Sequence, residues 1–284
     1  MTTNYALHRI ASTANIGFSP DDYSRFKYGD NDIARTFGTD LANGFIKNIL
    51  EKPNQTLDLT QQMVVISSPY SFIPTATFAL KNHFVSTLNR WLAADGYPTV
   101  QETKVHRTIT YKDDYGALNA AERMRLIGND SVHIDTKFVA NKTLIFLDDI
   151  KITGSHERMI LKMTHEYGLQ NDMFMLYFAE LTNANIHPRF ENYLNNFYVK
   201  FIFEVGNIVK NSNFVPNTRA VKYLLHYNFD DFCVFILSQN DDFCNELYDL
   251  ALGNGYHTIE AYQQNLAFLQ TLLHEKRFSN IVAI

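Results

Sequence analysis

Residues 144 to 157, Leu-Ile-Phe-Leu-Asp-Asp-Ile-Lys-Ile-Thr-Gly-Ser-His-Glu, constrain the fold more than any other stretch of the chain. Four apolar residues, Leu144 to Leu147, suit a short strand buried on both faces of a parallel sheet. The run ends in two adjacent carboxylates, Asp148 and Asp149. A turn of small residues follows (Thr153, Gly154, Ser155), and then a helical pattern from His156 to Tyr167. In open α/β sheets, ligands bind beyond the carboxyl ends of the strands. A helix start offers free backbone N–H groups and the positive end of its dipole to an anion. Carboxylates beside such a nest suit a ligand that carries hydroxyls or a metal next to a phosphate, as a sugar phosphate does. Asp and Thr are also ordinary turn and cap residues that need no ligand. It is the full order, ahead of a helix, that favours a site.

The flanking sequence supports an α/β pattern. Residues 1 to 34 read as polar and irregular. Apolar groups at Phe37, Leu41, Phe45, Ile46 and Ile49 form a helical stripe. Met63 to Ile66 predict a first buried strand, broken at Ser67-Ser68-Pro69-Tyr70. Pro74 opens a long helix that closes near Asp95-Gly96. Strand is favoured over Val100 to Tyr111, His133 to Val139 and Met173 to Leu181, and a short helix over 118 to 127. After residue 190, leucines and phenylalanines such as Leu224, Leu225, Phe232, Phe235, Leu266 and Leu269 predict mostly helices. The expected organisation is an N-terminal segment and first helix as a possible hood over 1–60, an α/β core over 61–185, and a helical region packed on it over 186–284.

Composition narrows the class. A chain of 284 residues with 46% hydrophobic and 19% charged residues reads as a folded soluble protein. A net charge of −5 argues against a surface that coats nucleic acid. Cys233 and Cys244 match neither a disulfide framework nor a zinc spacing and read as buried reduced thiols. No apolar run approaches the roughly 18 residues of a membrane span, and the first residues lack the blocks of a signal peptide. A cytoplasmic location is expected, with no nucleic-acid or membrane partner; a homodimer is compatible with the sequence.

The segment at 144–157 resembles the phosphoribosyl-pyrophosphate (PRPP) signature of type I phosphoribosyltransferases: an apolar strand, two acids, variable residues, then Thr-Gly and small hydroxyl residues. Haloacid-dehalogenase-type hydrolases also end a strand in acids, but they need Asp-x-Asp, and Lys151 stands two residues after Asp149. The resemblance implies a Rossmann-like, mostly parallel sheet with flanking helices, a mostly α-helical C-terminal region, and PRPP as substrate. It places Asp148 and Asp149 at the ribose 2- and 3-hydroxyls, with Mg²⁺ beside them, and Thr153, Gly154, Ser155 and His156 around the 5-phosphate. Two positions depart from the pattern. Ile152 stands where purine-salvage enzymes carry a carboxylate, and His156 where Ser or Thr is usual.

The resemblance extends, more loosely, to other segments. Ser67, Ser68, Pro69 and Tyr70 occupy the place of the pyrophosphate loop. Residues 104 to 116 lie where a flexible loop closes over the reacting centre, so that Arg107 and Lys112 join the acids as catalytic candidates. Tyr177, Phe178 and Glu180 are acceptor candidates at the end of the last strand, although alternation along a strand makes them equally good core residues. Ser24 to Asp30, followed by Phe37-Gly38, resemble phosphoribosyltransferase-like proteins of bacterial stress and tellurite-resistance gene clusters, with Arg25 and Lys27 as hood residues. The implied activity is Mg²⁺-dependent transfer of ribose 5-phosphate from PRPP to a nitrogenous acceptor. A non-catalytic PRPP or nucleotide sensor of the same fold is the alternative. If both acids face solvent at a strand end, changing both to Asn leaves the fold intact while ending PRPP binding.

Overall fold

The computed structural model describes residues 2–52, 57–107 and 132–282, with side chains through Glu275. A five-stranded, wholly parallel sheet forms the centre, in the order β1 (Thr2–Ile10), β7 (Met173–Leu181), β6 (Thr143–Lys151), β2 (Met63–Ser67), β3 (Gln101–Lys104). A small antiparallel pair, β4 (His106–Arg107) and β5 (Val132–His133), lies beside it.

The inner strands carry apolar runs because both of their faces are covered, and the pleat sorts their side chains by parity. Val65, Ile145, Leu147, Phe174, Leu176 and Phe178 point to one face. There they meet Phe37, Leu41 and Phe45 of α2 (Asn31–Phe45) and Leu80, Phe84 and Leu88 of α3 (Ala76–Ala94). Val64, Ile66, Leu144, Phe146, Met175 and Tyr177 point to the other face. That face is covered by Met159, Ile160 and Met163 of α5 (Ser155–Glu166).

Several expectations need correction. The N-terminal residues are ordered: Thr2–Ile10 is an edge strand paired with β7, and Pro20–Lys27 is helix α1, capped by Ser19. The 1–60 segment therefore contributes an edge strand of the central sheet. Of the stretch read as strand from His133 to Val139, only His133 belongs to a strand, β5. Asp135 then caps a single helical turn, α4 (Thr136–Val139), by accepting from the N–H groups of Lys137 and Phe138. Strand β6 continues through the acid pair to Lys151 instead of stopping at it. The strand read over 100 to 111 divides at Val105 into β3 and β4, and residues 108–131, including the helix read at 118 to 127, lie outside the described residues.

From Phe190 onward the chain is helical: α6 (Phe190–Asn195), α7 (Ile202–Asn211), α8 (Thr218–His226), α9 (Phe229–Leu237), α10 (Asp241–Gly253) and α11 (Glu260–Val282). Helices α7 to α11 build a second core, which also takes in Tyr28 and Ile73 from the N-terminal half, whereas Phe190 and Leu194 of α6 join the first. Both cysteines are free thiols; Cys244 is buried, but Cys233 only partly so. Among the described residues no helix is long and apolar enough to cross a membrane.

Candidate active site

A cleft of about 960 Å³ opens where the carboxyl ends of β2 and β6 meet α1 and the helical region. The two acids contribute to it unequally. Successive strand residues point to opposite faces, so adjacent carboxylates inside a strand meet different surroundings. Asp149 turns toward α1 and α3 and is buried. Its Oδ1 accepts from Thr77 Oγ1 at 2.9 Å; its Oδ2 accepts from Tyr23 Oη at 2.6 Å and from Lys27 Nζ. Burial alone would raise the Asp149 pKa, but the Lys27 charge and the three hydrogen bonds hold it well below the usual carboxylate range. Burial and the Asp149 charge push the Tyr23 phenol far up, so it stays a donor.

Asp148 turns the other way and keeps part of its surface open. Its Oδ2 lies 3.0 Å from His156 Nδ1, and its Oδ1 accepts from the Asp149 N–H. His156 thus packs against the acid pair, and it lines the cleft together with Thr153, Gly154 and Ser155. Gly154 takes the left-handed conformation (φ 66°) just before α5. Glycine adopts this turn without strain, with Arg158 and Lys151 side chains 3.4 and 3.5 Å from where a Cβ would stand. Thr153 Oγ1 and Ser155 Oγ are 2.7 Å apart, and Arg158 ties the loop down through Thr153 O and Ser155 Oγ.

Ser68, Pro69 and Tyr70 line the cleft from the loop after β2, while Ser67 is the buried last residue of that strand. Of the acceptor candidates, Tyr177 lines the cleft and donates to Glu157 Oε2 at 3.0 Å. Glu180 pairs with Lys151 at 3.0 Å, and Lys151 also pairs with Glu157 at 2.6 Å. Phe178 is a correction: it is 1% exposed and stacked on Phe37 in the core, because its parity sends it to the α2 face. The hood candidate Lys27 lines the cleft as the Asp149 partner, whereas Arg25 pairs with Asp30 at 2.5 Å. Lys112 and the side chain of Arg107 lie outside the described residues.

The fit to Mg²⁺ follows from the donors. Among the described residues no three His, Cys, Asp or Glu side chains converge as a metal cage. Mg²⁺ does not require one: it commonly takes one or two carboxylates together with substrate oxygens and retained waters. Asp148 offers such a carboxylate. Asp149, with both oxygens already engaged, serves as a charged anchor for α1.

Sequence reading did not name the other residues of the cleft. Tyr23 and Thr77 reach Asp149 from distant elements, and α8 contributes Arg219, Lys222, Tyr223 and His226, joined by Tyr256 and Tyr262. The signal on α8 was legible: Arg219, Lys222 and His226 share one helix face, while Ala220, Val221, Leu224 and Leu225 are buried on the other.

A parallel sheet carrying an acid pair and a Thr-Gly loop at its carboxyl end has the build of the phosphoribosyltransferase class of α/β proteins. More narrowly, the chain belongs to the PRTase ComF-like family, whose model matches residues 1–269. No curated protein matches the chain. Similar solved structures include a hypoxanthine phosphoribosyltransferase from Staphylococcus aureus at 7% identity, covering 54% of this chain and 75% of that one with a TM-score of 0.33. Another is the hypoxanthine phosphoribosyltransferase from Trypanosoma cruzi, in a mutant form complexed with the product IMP, at 15% identity, with 55% and 77% covered and a TM-score of 0.30.

Proposed function

We propose that the protein is a Mg²⁺-dependent phosphoribosyltransferase that moves ribose 5-phosphate from PRPP to a nitrogenous acceptor. The observation that carries this reading is the Asp148–His156 arc, in which a partly exposed carboxylate and, six residues on, a left-handed Gly154 at a helix start line one cleft. The loop amides and the Thr153 and Ser155 hydroxyls hold the 5-phosphate. Asp148 accepts from the ribose hydroxyls and is the side chain that would hold Mg²⁺, which when bound offsets the charge of the diphosphate. The C1–O bond to diphosphate breaks with its electron pair on the leaving oxygen, and the acceptor nitrogen forms the new C1–N bond. Any proton on that nitrogen passes to water. The protein's own task is to position the ribose and to exclude water from C1.

Asp148→Asn is expected to weaken Mg²⁺-supported PRPP binding by at least about tenfold, the scale of losing charge-assisted hydrogen bonds. Titration calorimetry checks this, and PRPP binding equal to the parent's would remove Asp148 from the site. A panel of bases assayed for pyrophosphate release tests the transfer itself. One observation favours the sensor alternative: Asp149 is fully engaged inside the protein, which leaves a single acid for the ribose. PRPP binding without pyrophosphate release for any base would select it.

Ile152 bears on the acceptor. It lines the cleft with an apolar, branched side chain that neither takes a proton nor accepts a hydrogen bond. Hypoxanthine and guanine are therefore expected to be turned over negligibly, and the acceptor is a nitrogen already anionic or needing no base. Robust formation of guanosine monophosphate from guanine and PRPP would overturn this.

A further inference from the structure

We propose that the helical region supplies the cations that receive the diphosphate, through Arg219 and Lys222 of α8. The inference rests on the phosphoribosyltransferase reading above and assigns a task to residues outside the α/β core. Its basis is the way the loop after β2, the proposed pyrophosphate loop, is held. Asn254 Oδ1 accepts from the N–H groups of Phe72 and Ile73 at 2.9 and 3.1 Å. Thr218 closes the other side: its hydroxyl donates to Ile73 O at 2.7 Å and its N–H to Pro74 O at 2.8 Å. Ile73 is completely buried, within the core of the helical region. Phe72 lies close against Gly253, where an added Cβ would come within 2.3 Å of its ring.

The loop is thus built onto the helical region as much as onto the sheet. Thr218, which holds it, is the first residue of α8, so the next turn of that helix stands beside the loop. Arg219 and Lys222, one and four positions on, both line the cleft and are half-buried. On the opposite flank Lys104 donates to Tyr70 O at 3.3 Å and sits 4.0 Å over the Tyr70 ring. Cations beside a loop that contains no glycine from Ser68 to Thr75 replace backbone amides as the main source of positive charge. Arg offers a planar fork to phosphate oxygens, and Lys a point charge.

The test compares two ligands that differ only at C1. PRPP with Mg²⁺ and ribose 5-phosphate are titrated into the full chain and into Arg219→Gln, Lys222→Gln and the double variant, with melting temperature followed alongside. Each single variant is expected to lose about tenfold in PRPP affinity and the double about a hundredfold, with ribose 5-phosphate affinity held within about twofold. Arg219→Lys and Lys222→Arg are expected to recover part of the loss. If the double variant does not fold, Lys222→Gln alone decides. Unchanged PRPP affinity, or parallel loss for both ligands, overturns the inference and leaves the phosphoribosyl reading standing. A parent protein that binds neither ligand overturns both.

Discussion

Asp149→Asn is expected to destabilise the protein by about 3–5 kcal/mol, the usual cost of removing one partner from a buried ion pair. The substitution leaves the Lys27 ammonium, 11% exposed, without its ion-pair partner, and it weakens the hydrogen bonds from Tyr23 and Thr77. For a chain of this size the melting temperature should fall on the order of 10 °C. Asp148→Asn is the control: its partner His156 is a third exposed, and pairs of that kind contribute about 0–1 kcal/mol. The two acids were expected to tolerate Asn equally as solvent-facing strand-end residues, and the pleat is what separates them. The pH dependence has a defined sign. Asp149 is held below its ordinary value of 3.8 in the folded state, so its contribution is complete above that value and is lost as pH falls below it toward the folded value. Below pH 3.8 the parent should lose stability more steeply than the Asn variant. A melting temperature within a degree or two of the parent's for Asp149→Asn would remove the pair from any structural role. Replacing both partners, with Lys27→Met and Asp149→Leu, should recover much of the stability, because no charge is then left buried alone.

What could be read from the sequence followed the range of the interactions involved. Strands β2, β6 and β7 each carry an apolar run (Met63–Ile66, Leu144–Leu147, Met173–Ala179), because helices cover both of their faces, and such runs are visible locally. Strand β1 was not, since Asn4, His8 and Arg9 interrupt it and its order comes from a ladder with β7 at the far end of the core. The stretch from His133 to Val139 has apolar and β-branched residues that suit a strand, yet one Asp at 135 caps a helical turn; here a local signal was overlooked. The acid pair and the Thr-Gly turn were legible as a motif. Their division of labour was not, because Lys27 and Tyr23 reach Asp149 across 122 and 126 residues of chain. The basic face of α8 was spaced legibly but meant nothing until Thr218 and Asn254 were seen to hold the loop after β2.

Phe178→Ala separates a core residue from an acceptor platform, and it is expected to cost about 3–5 kcal/mol, the range for deleting a buried aromatic ring. Phe178 sits at the meeting point of four rings. It stacks on Phe37 at 4.1 Å and makes edge contacts with His8 at 4.8 Å and Phe18 at 5.2 Å. These partners come from α2, from β1 and from the segment before α1, so the ring joins the N-terminal segment to the sheet. Rigid neighbours on three elements relax little into a vacated space, which puts the cost in the upper part of the range. The change lies on the sheet face opposite Tyr177, so PRPP affinity measured well below the melting point should stay within about twofold, consistent with distant, independent sites. Urea unfolding combined with PRPP titration checks both halves. Tyr177→Phe is the complementary variant: it removes the hydroxyl that donates to Glu157 and should cost only about 1 kcal/mol. If Phe178→Ala kept the parent's stability and lost acceptor turnover, the ring would belong to the cleft after all. The parity of β7, and with it the assignment of Asp148 and Asp149 to opposite faces of the neighbouring strand, would then have to be redrawn.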